Sequence, residues 1–226
     1  MVRKYVYGHP FPTDAVVEKI DEEYGLFPYG QVNIENGFCF TYQMEDKERI
    51  YGLGQAVRGI NKRGYIYESF ASDNGFHFED AKSLYGAHNF ILITGGKETF
   101  GLFFDDPAKL TFDLGYSKYD EIKVTSEFSD MALYLITGES ILDIVKSFRK
   151  IIGTSYIPPK FAFGYGQCRW GYKTREDFYE VVREHRQKKI PLDMVYMDID
   201  YMDHYKDFTV NLDEFPDFKA FVEEMK

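Results

Sequence analysis

The residues best placed to do chemistry lie in Ile190-Pro191-Leu192-Asp193-Met194-Val195-Tyr196-Met197-Asp198-Ile199-Asp200-Tyr201-Met202. Leu192, Met194, Val195, Tyr196 and Met197 form the short, nearly continuous apolar run of a strand covered on both faces. Asp198 and Asp200 follow at its C-terminal end, where carboxylates point into the mouth of an α/β barrel or crevice and meet ligands. Asp200 is expected to point away from Asp198 and to be structural. Asp193, at the strand's start, reads as a stability residue. Trp170, the only tryptophan, follows an earlier strand, and Asp73 sits in the turn-rich loop Phe70-Ala71-Ser72-Asp73-Asn74-Gly75-Phe76. His88 and His204 lack ligand spacing, and Cys39 and Cys168 match neither a metal nor a redox pattern, so no metal and no cofactor are expected.

The elements that must position these side chains fall into two groups. Up to about Ile136 the chain reads as all-β. Strands are predicted at Gly37–Tyr42, Phe90–Thr94, Thr99–Phe104, Lys109–Leu114 and Ala132–Ile136, with Gly95-Gly96-Lys97 as a hairpin turn, which suggests a sandwich. Gly52-Leu53-Gly54-Gln55 through Lys62-Arg63-Gly64 is Gly-rich but fails the spacing of a phosphate loop. Apolar periodicity predicts a helix over Glu139–Ile152, with Gly153 as its C-cap, and Pro158-Pro159 resets the chain. A strand over Phe161–Gln167 follows. Next comes a helix from Thr174 with a capping box to Asp177, burying Phe178, Val181, Val182 and His185, and then the strand Leu192–Asp198, closing a βαβ unit. A last helix starts at Asp217, with Phe218, Phe221, Val222 and Met225 on one face.

Composition narrows the function. Net charge is −10 and the longest basic cluster, Arg183–Lys189, is broken by Glu184 and Gln187, which argues against nucleic acid as partner. No segment is long and apolar enough for a signal peptide or a membrane span, and two free thiols suit a reducing cytoplasm, so a cytoplasmic protein is expected. Aromatics make up 18% of the residues; most must be core, but such rings also pack against sugar C–H faces.

Several motifs in order then resemble one family. Phe163-Gly164-Tyr165-Gly166-Gln167-Cys168-Arg169-Trp170-Gly171-Tyr172, Ile190-Pro191-Leu192-Asp193, Asp198-Ile199-Asp200-Tyr201-Met202, Asp207-Phe208-Thr209 and Phe215-Pro216 resemble glycoside hydrolase family 31, the retaining α-glucosidases. Tyr51-Gly52-Leu53-Gly54 and Leu84-Tyr85-Gly86-Ala87-His88-Asn89-Phe90 resemble its sandwich motifs; Gln55 stands where the family usually has Glu, which puts a local ion pair in doubt. The resemblance implies a β-sandwich followed by the first two β/α units of a (β/α)8 TIM barrel, truncated. The expected division is a sandwich over 1–138, a linking helix and Pro-rich linker over 139–158, and the start of the barrel over 159–226.

By the same resemblance, Asp198 binds hydroxyls of the terminal glucose, and Ile199 packs on that sugar or is simply core. Trp170 shapes the subsite of the leaving sugar or anchors packing between domains. Asp73 touches substrate from the sandwich loop. The nucleophile and acid/base are expected beyond Lys226, so the 226 residues alone are expected to be inactive. The substrate is an oligosaccharide or other α-glucoside, with α-xylosidase or transglucosidase activity as alternatives and self-association left open. A non-catalytic carbohydrate-binding sandwich module is the rival from another class.

Overall fold

The structure, a computed structural model, describes residues 1–226 apart from Asn74, so that step of the predicted turn lies outside the described residues. It divides into two units, Met1–Thr154 and Ser155–Lys226. The first unit contains β1 (Val2–Tyr7), β2 (Gln31–Asn33), β3 (Phe38–Gln43), β4 (Arg49–Gly54), β5 (Ile66–Ser69), β6 (Ala87–Thr94), β7 (Phe100–Asp105), β8 (Leu110–Leu114), β9 (Glu121–Ser126), β10 (Met131–Thr137) and α1 (Ile141–Ile152). They form two five-stranded antiparallel sheets, ordered β1-β10-β7-β6-β4 and β2-β3-β9-β8-β5.

A single core joins the two sheets. Phe100, Leu102, Phe104, Leu133 and Leu135 of the first sheet pack with Phe38, Phe40, Phe112, Ile122 and Val124 of the second. The opposite face of the first sheet is also covered: Phe103, Ala132, Tyr134 and Ile136 meet Ile144, Phe148 and Ile151 of α1. This is why β7 and β10 are apolar almost throughout, whereas β8 alternates: only the first sheet has something to bury on both sides. Gly101 makes the helix docking feasible, because a Cβ there would lie 2.8 Å from the Phe90 ring and 2.9 Å from Ile144 Cγ2. The helix set apart as a linker by the sequence is therefore packed into the first unit. Ser140 is its N-cap, accepting from Asp143 N at 3.2 Å, and Gly153, at φ 84°, ends it.

The Gly52-Leu53-Gly54 motif has a backbone role. The register between β4 and β6 shifts between Gly52 and Gly54, and a Cβ on Gly52 (φ 126°) would lie 2.2 Å from the Phe90 carbonyl oxygen. Gln55 closes this bulge without an ion pair: its Oε1 accepts from Gly86 N and its own N donates to Gly86 O, both at 2.8 Å.

The second unit contains β11 (Gly166–Cys168), α2 (Arg175–Gln187), β12 (Met194–Tyr196) and α3 (Phe218–Met225). β11 and β12 pair in parallel, with α2 between them in sequence. The predicted capping box is present: Thr174 N donates to Asp177 Oδ2 at 2.9 Å and Asp177 N to Thr174 Oγ1 at 3.3 Å. Phe178, Phe215, Phe221 and Tyr172 form this unit's core, with Phe218, Val222 and Met225 of α3 against it; Val181 also joins, while Val182 and His185 are only half-buried.

Two strand predictions need correction. Lys160–Phe163 is a 3-10 turn, because Pro159 accepts from Ala162 N at 3.0 Å and Phe161 from Gly164 N at 2.9 Å; the strand begins only at Gly166. The strand expected over Leu192–Asp198 is limited to Met194–Tyr196, and Tyr196 is 49% exposed. Its alternate side chains explain this: Val195 and Met197 pack on the helix core, while β12 has β11 as its one strand partner in this unit.

Candidate functional site

β11 and β12 run parallel, with Gly166, Gln167 and Cys168 opposite Met194, Val195 and Tyr196. Their C-terminal ends therefore lie side by side, which is where βα crossovers leave room for ligands. Trp170 lies two residues past Cys168, and Asp198 two past Tyr196, so the topology brings both to the same end of this sheet. Several sequence features fix the pairing. A Cβ on Gly166 would lie 2.7 Å from the Tyr196 ring, so glycine leaves room for that ring. At the other end, Asp193 accepts from Tyr165 N at 3.2 Å and its own N donates to Tyr165 O at 2.9 Å, joining the strand starts.

Asp198 occupies a turn immediately after β12 and has φ 56°, a left-handed conformation that a short polar side chain tolerates better than a bulky one. Positive φ recurs at His204, Tyr205, Phe208 and Asp217, so the chain from Asp198 to the start of α3 is a series of constrained turns. The Asp198 carboxylate is held from β11: Cys168 Sγ donates to its Oδ2 at 3.4 Å. Partial desolvation and this carboxylate together hold the Cys168 thiol above its usual pKa, so it stays a neutral donor. Strand alternation would put Asp198 and Asp200 on the same side. Residues 198–200 form a turn instead, and the two carboxylates have different partners: Asp200 Oδ1 accepts from Tyr205 Oη at 3.1 Å, which raises the tyrosine's pKa.

Trp170 is 72% exposed and Ile199 41%, so both present apolar surface near the strand ends. Gly171, at φ 106°, turns the chain directly after Trp170. Asp73 belongs to the first unit, beside Tyr85: desolvation, and then this neighbouring carboxylate, raise the tyrosine's pKa. Cys168 is the site residue that the sequence reading passed over. The signal that would have found it is its place at the end of the strand before the crossover, where a parallel pairing sets it next to the Asp198 turn. Among the described residues, no group of three or more His, Cys, Asp or Glu side chains could hold a metal ion.

In chemical terms the second unit offers a carboxylate with free acceptor capacity, a thiol holding one of its oxygens, and exposed apolar side chains at Trp170 and Ile199. Such a set can receive hydroxyls at the carboxylate and apolar ligand surface on the side chains.

Comparison with known proteins gives the context. A family model described as "Glycosyl hydrolase 31 N-terminal galactose mutarotase-like domain" matches residues 21–113, and one described as "Glycosyl hydrolases family 31 TIM-barrel domain" matches residues 155–226. An α-glucosidase of Saccharolobus solfataricus is 30% identical over 229 residues, covering 99% of this chain and 33% of that protein. Alpha-glucosidase 2 of Bacillus thermoamyloliquefaciens is 30% identical over 201 residues, covering 85% of this chain and 25% of its own length. The chain thus spans a quarter to a third of these relatives. A GH31 dextranase from Flavobacterium johnsoniae, solved with isomaltotriose, superposes with a TM-score of 0.79 at 26% identity, over 86% of this chain and 24% of the dextranase. With family models matching both the sandwich and the βαβ unit, and relatives matching across the two, the chain belongs to glycoside hydrolase family 31.

Proposed function

We propose that these residues are the sandwich and the opening of the (β/α)8 barrel of a retaining glycoside hydrolase. On this reading it is of the α-glucosidase type and releases terminal α-linked glucose from short α-glucosides. The observation that carries the proposal is the position of Asp198 at the C-terminal end of β12, in a left-handed turn beside the end of β11. Its carboxylate accepts glucose hydroxyls, and a hydrogen bond to a charged acceptor is the stronger kind. Ile199 and Trp170 supply apolar contact to the sugar bound there. The two carboxylates that attack the anomeric carbon and shuttle the proton come from barrel strands that follow Lys226 in sequence. The two free cysteines support a reducing compartment, the cytoplasm.

The βαβ unit favours this reading over a non-catalytic sandwich module, which has no use for one. The relatives named α-glucosidase support glucose as the sugar, and the dextranase solved with isomaltotriose supports an oligosaccharide as substrate. The test is hydrolysis of maltose, isomaltotriose and an α-xyloside by the full-length enzyme and by its Asp198→Ala variant. Glucose release that falls sharply in the variant is expected; preference for the xyloside, or a variant within twofold of wild type, would overturn the assignment. Two-carboxylate chemistry needs no metal, so activity is expected to persist in EDTA, and loss restored by one divalent ion would contradict it.

A further inference from the structure

The first unit carries an open cavity of about 610 Å3, within the range of small-molecule sites. It lies where α1 crosses β7, beside the segment that follows β1. Phe103, Phe148 and Ile152 give it an apolar lining, and Phe70, 51% exposed, adds a ring that is not committed to the core. Its polar lining comprises Thr13, Ser69, His88, Asn89, Asp105 and Asp106. Asp105 is only 9% exposed, and its Oδ1 accepts from Thr13 Oγ1 at 2.5 Å. The Ser69 hydroxyl donates to Asn89 Oδ1, and Asn89 Nδ2 in turn donates to the Asp106 carbonyl at 3.0 Å. Asp106 Oδ1 accepts from Ala108 N at 2.9 Å, but its Oδ2 is buried with no donor among the described residues.

The lining carboxylates keep lone pairs beyond those that Thr13 and Ala108 occupy, so this lining has room for further hydrogen-bond donors. Two carboxylates exclude an anionic ligand. A ring with hydroxyls on its edge and C–H groups on its face meets both kinds of lining, the acceptors and the aromatic carbons. We propose that this cavity, built wholly from first-unit residues, binds a saccharide, one glycosyl unit of an α-glucoside. The choice of a saccharide rests on the glycoside hydrolase reading; the cavity and its acceptors do not.

The experiment is a titration of the 15N-labelled 226-residue chain with maltose. Amide shifts at Ser69, Asn89 and Asp106 are expected, saturating with a millimolar Kd. Asp106→Asn keeps an acceptor for Ala108 N but removes the charge; it should weaken binding about tenfold or more. Ala71→Trp fills the cavity from an exposed loop position without removing a core contact, and should abolish the shifts while the rest of the spectrum is retained. No shift at about 100 mM maltose, far above a millimolar Kd, would overturn the proposal. So would shifts that survive both variants, or a response to tetramethylammonium and none to maltose. Shifts confined to residues around Asp198 would remove the cavity and leave the proposed function intact. Loss of α-glucoside hydrolysis as the full-length activity would instead remove the function, with binding in the cavity still read separately.

Discussion

Asp198 combines a left-handed backbone with a thiol donor on one carboxylate oxygen, which leaves the other free for a ligand. Under the proposed function, Asp198→Ala in the full-length protein should lower kcat/KM by about ten- to a hundredfold, the worth of one charge-assisted hydrogen bond, and by more if that bond tightens in the transition state. Steady-state kinetics with maltose would show it. The pairing with Cys168 can be tested in the 226-residue chain itself. The neighbouring carboxylate holds the thiol's pKa up, so removing that charge should bring the pKa down. In Asp198→Asn, the rate of Cys168 alkylation by iodoacetamide should therefore rise at neutral pH and reach half-maximum at lower pH than in the parent. Unchanged pH–rate profiles would mean that the two side chains do not meet.

Each helix rests on a few positions with little tolerance. The capping box of α2 supplies donors and acceptors where the first turn has no partners of its own. Thr174→Ala should destabilise the second unit by about 1 kcal/mol, measured as a shift in its urea midpoint. The pH dependence follows from Asp177. Backbone donation from Thr174, then from Lys173, lowers its carboxyl pKa in the folded state. A depressed folded pKa gives stability that is complete above the unfolded value, about 3.9, and is lost as pH falls through the lower folded value. Acid unfolding of the second unit should therefore occur at higher pH in Asp177→Asn. In the first unit, Gly101→Ala forces a Cβ against Phe90 and Ile144 and should cost about 1–3 kcal/mol by overpacking, read as a lowered Tm.

At the scale of the molecule, the two units differ in what holds them. The first closes a core between two five-stranded sheets and covers one of them again with α1. The second has a two-stranded sheet and a core centred on Tyr172, Phe178, Phe215 and Phe221, and two strands are marginal without more pairing. Phe161, Phe163, Tyr165 and Tyr196 are substantially exposed around that sheet. Heating the 226-residue chain should melt the second unit first, and limited proteolysis should leave a resistant core close to residues 1–154. Under the proposed function the same polypeptide should not hydrolyse a chromogenic α-glucoside. Protection through Lys226 would show that the second unit is sturdier than its small sheet suggests.

Much of this protein is legible in its sequence, for local physical reasons. The apolar runs of β6, β7 and β10, the periodicity of α1 and the Thr174–Asp177 capping box are each written in adjacent residues. The strand, helix, strand order around α2 was enough to place Asp198 at a strand end. Short or polar strands were not legible: β2 has three residues, and β9, Glu121-Ile122-Lys123-Val124-Thr125-Ser126, buries only alternate side chains, a pattern that becomes a strand once β3 and β8 pair with it. Pro159 turned a predicted strand into a 3-10 turn, because the backbone bonds formed there outweigh the aromatic content of Phe161 and Phe163. Only the tertiary structure decided that α1 belongs to the sandwich, since that depends on the space left by Gly101 on a distant strand. Only it placed Cys168 against Asp198 and gathered Asp105, Asp106 and Phe70 around one cavity. Contacts between residues far apart in the chain depend on strand register and chain packing, and neither is a property of any single stretch of sequence.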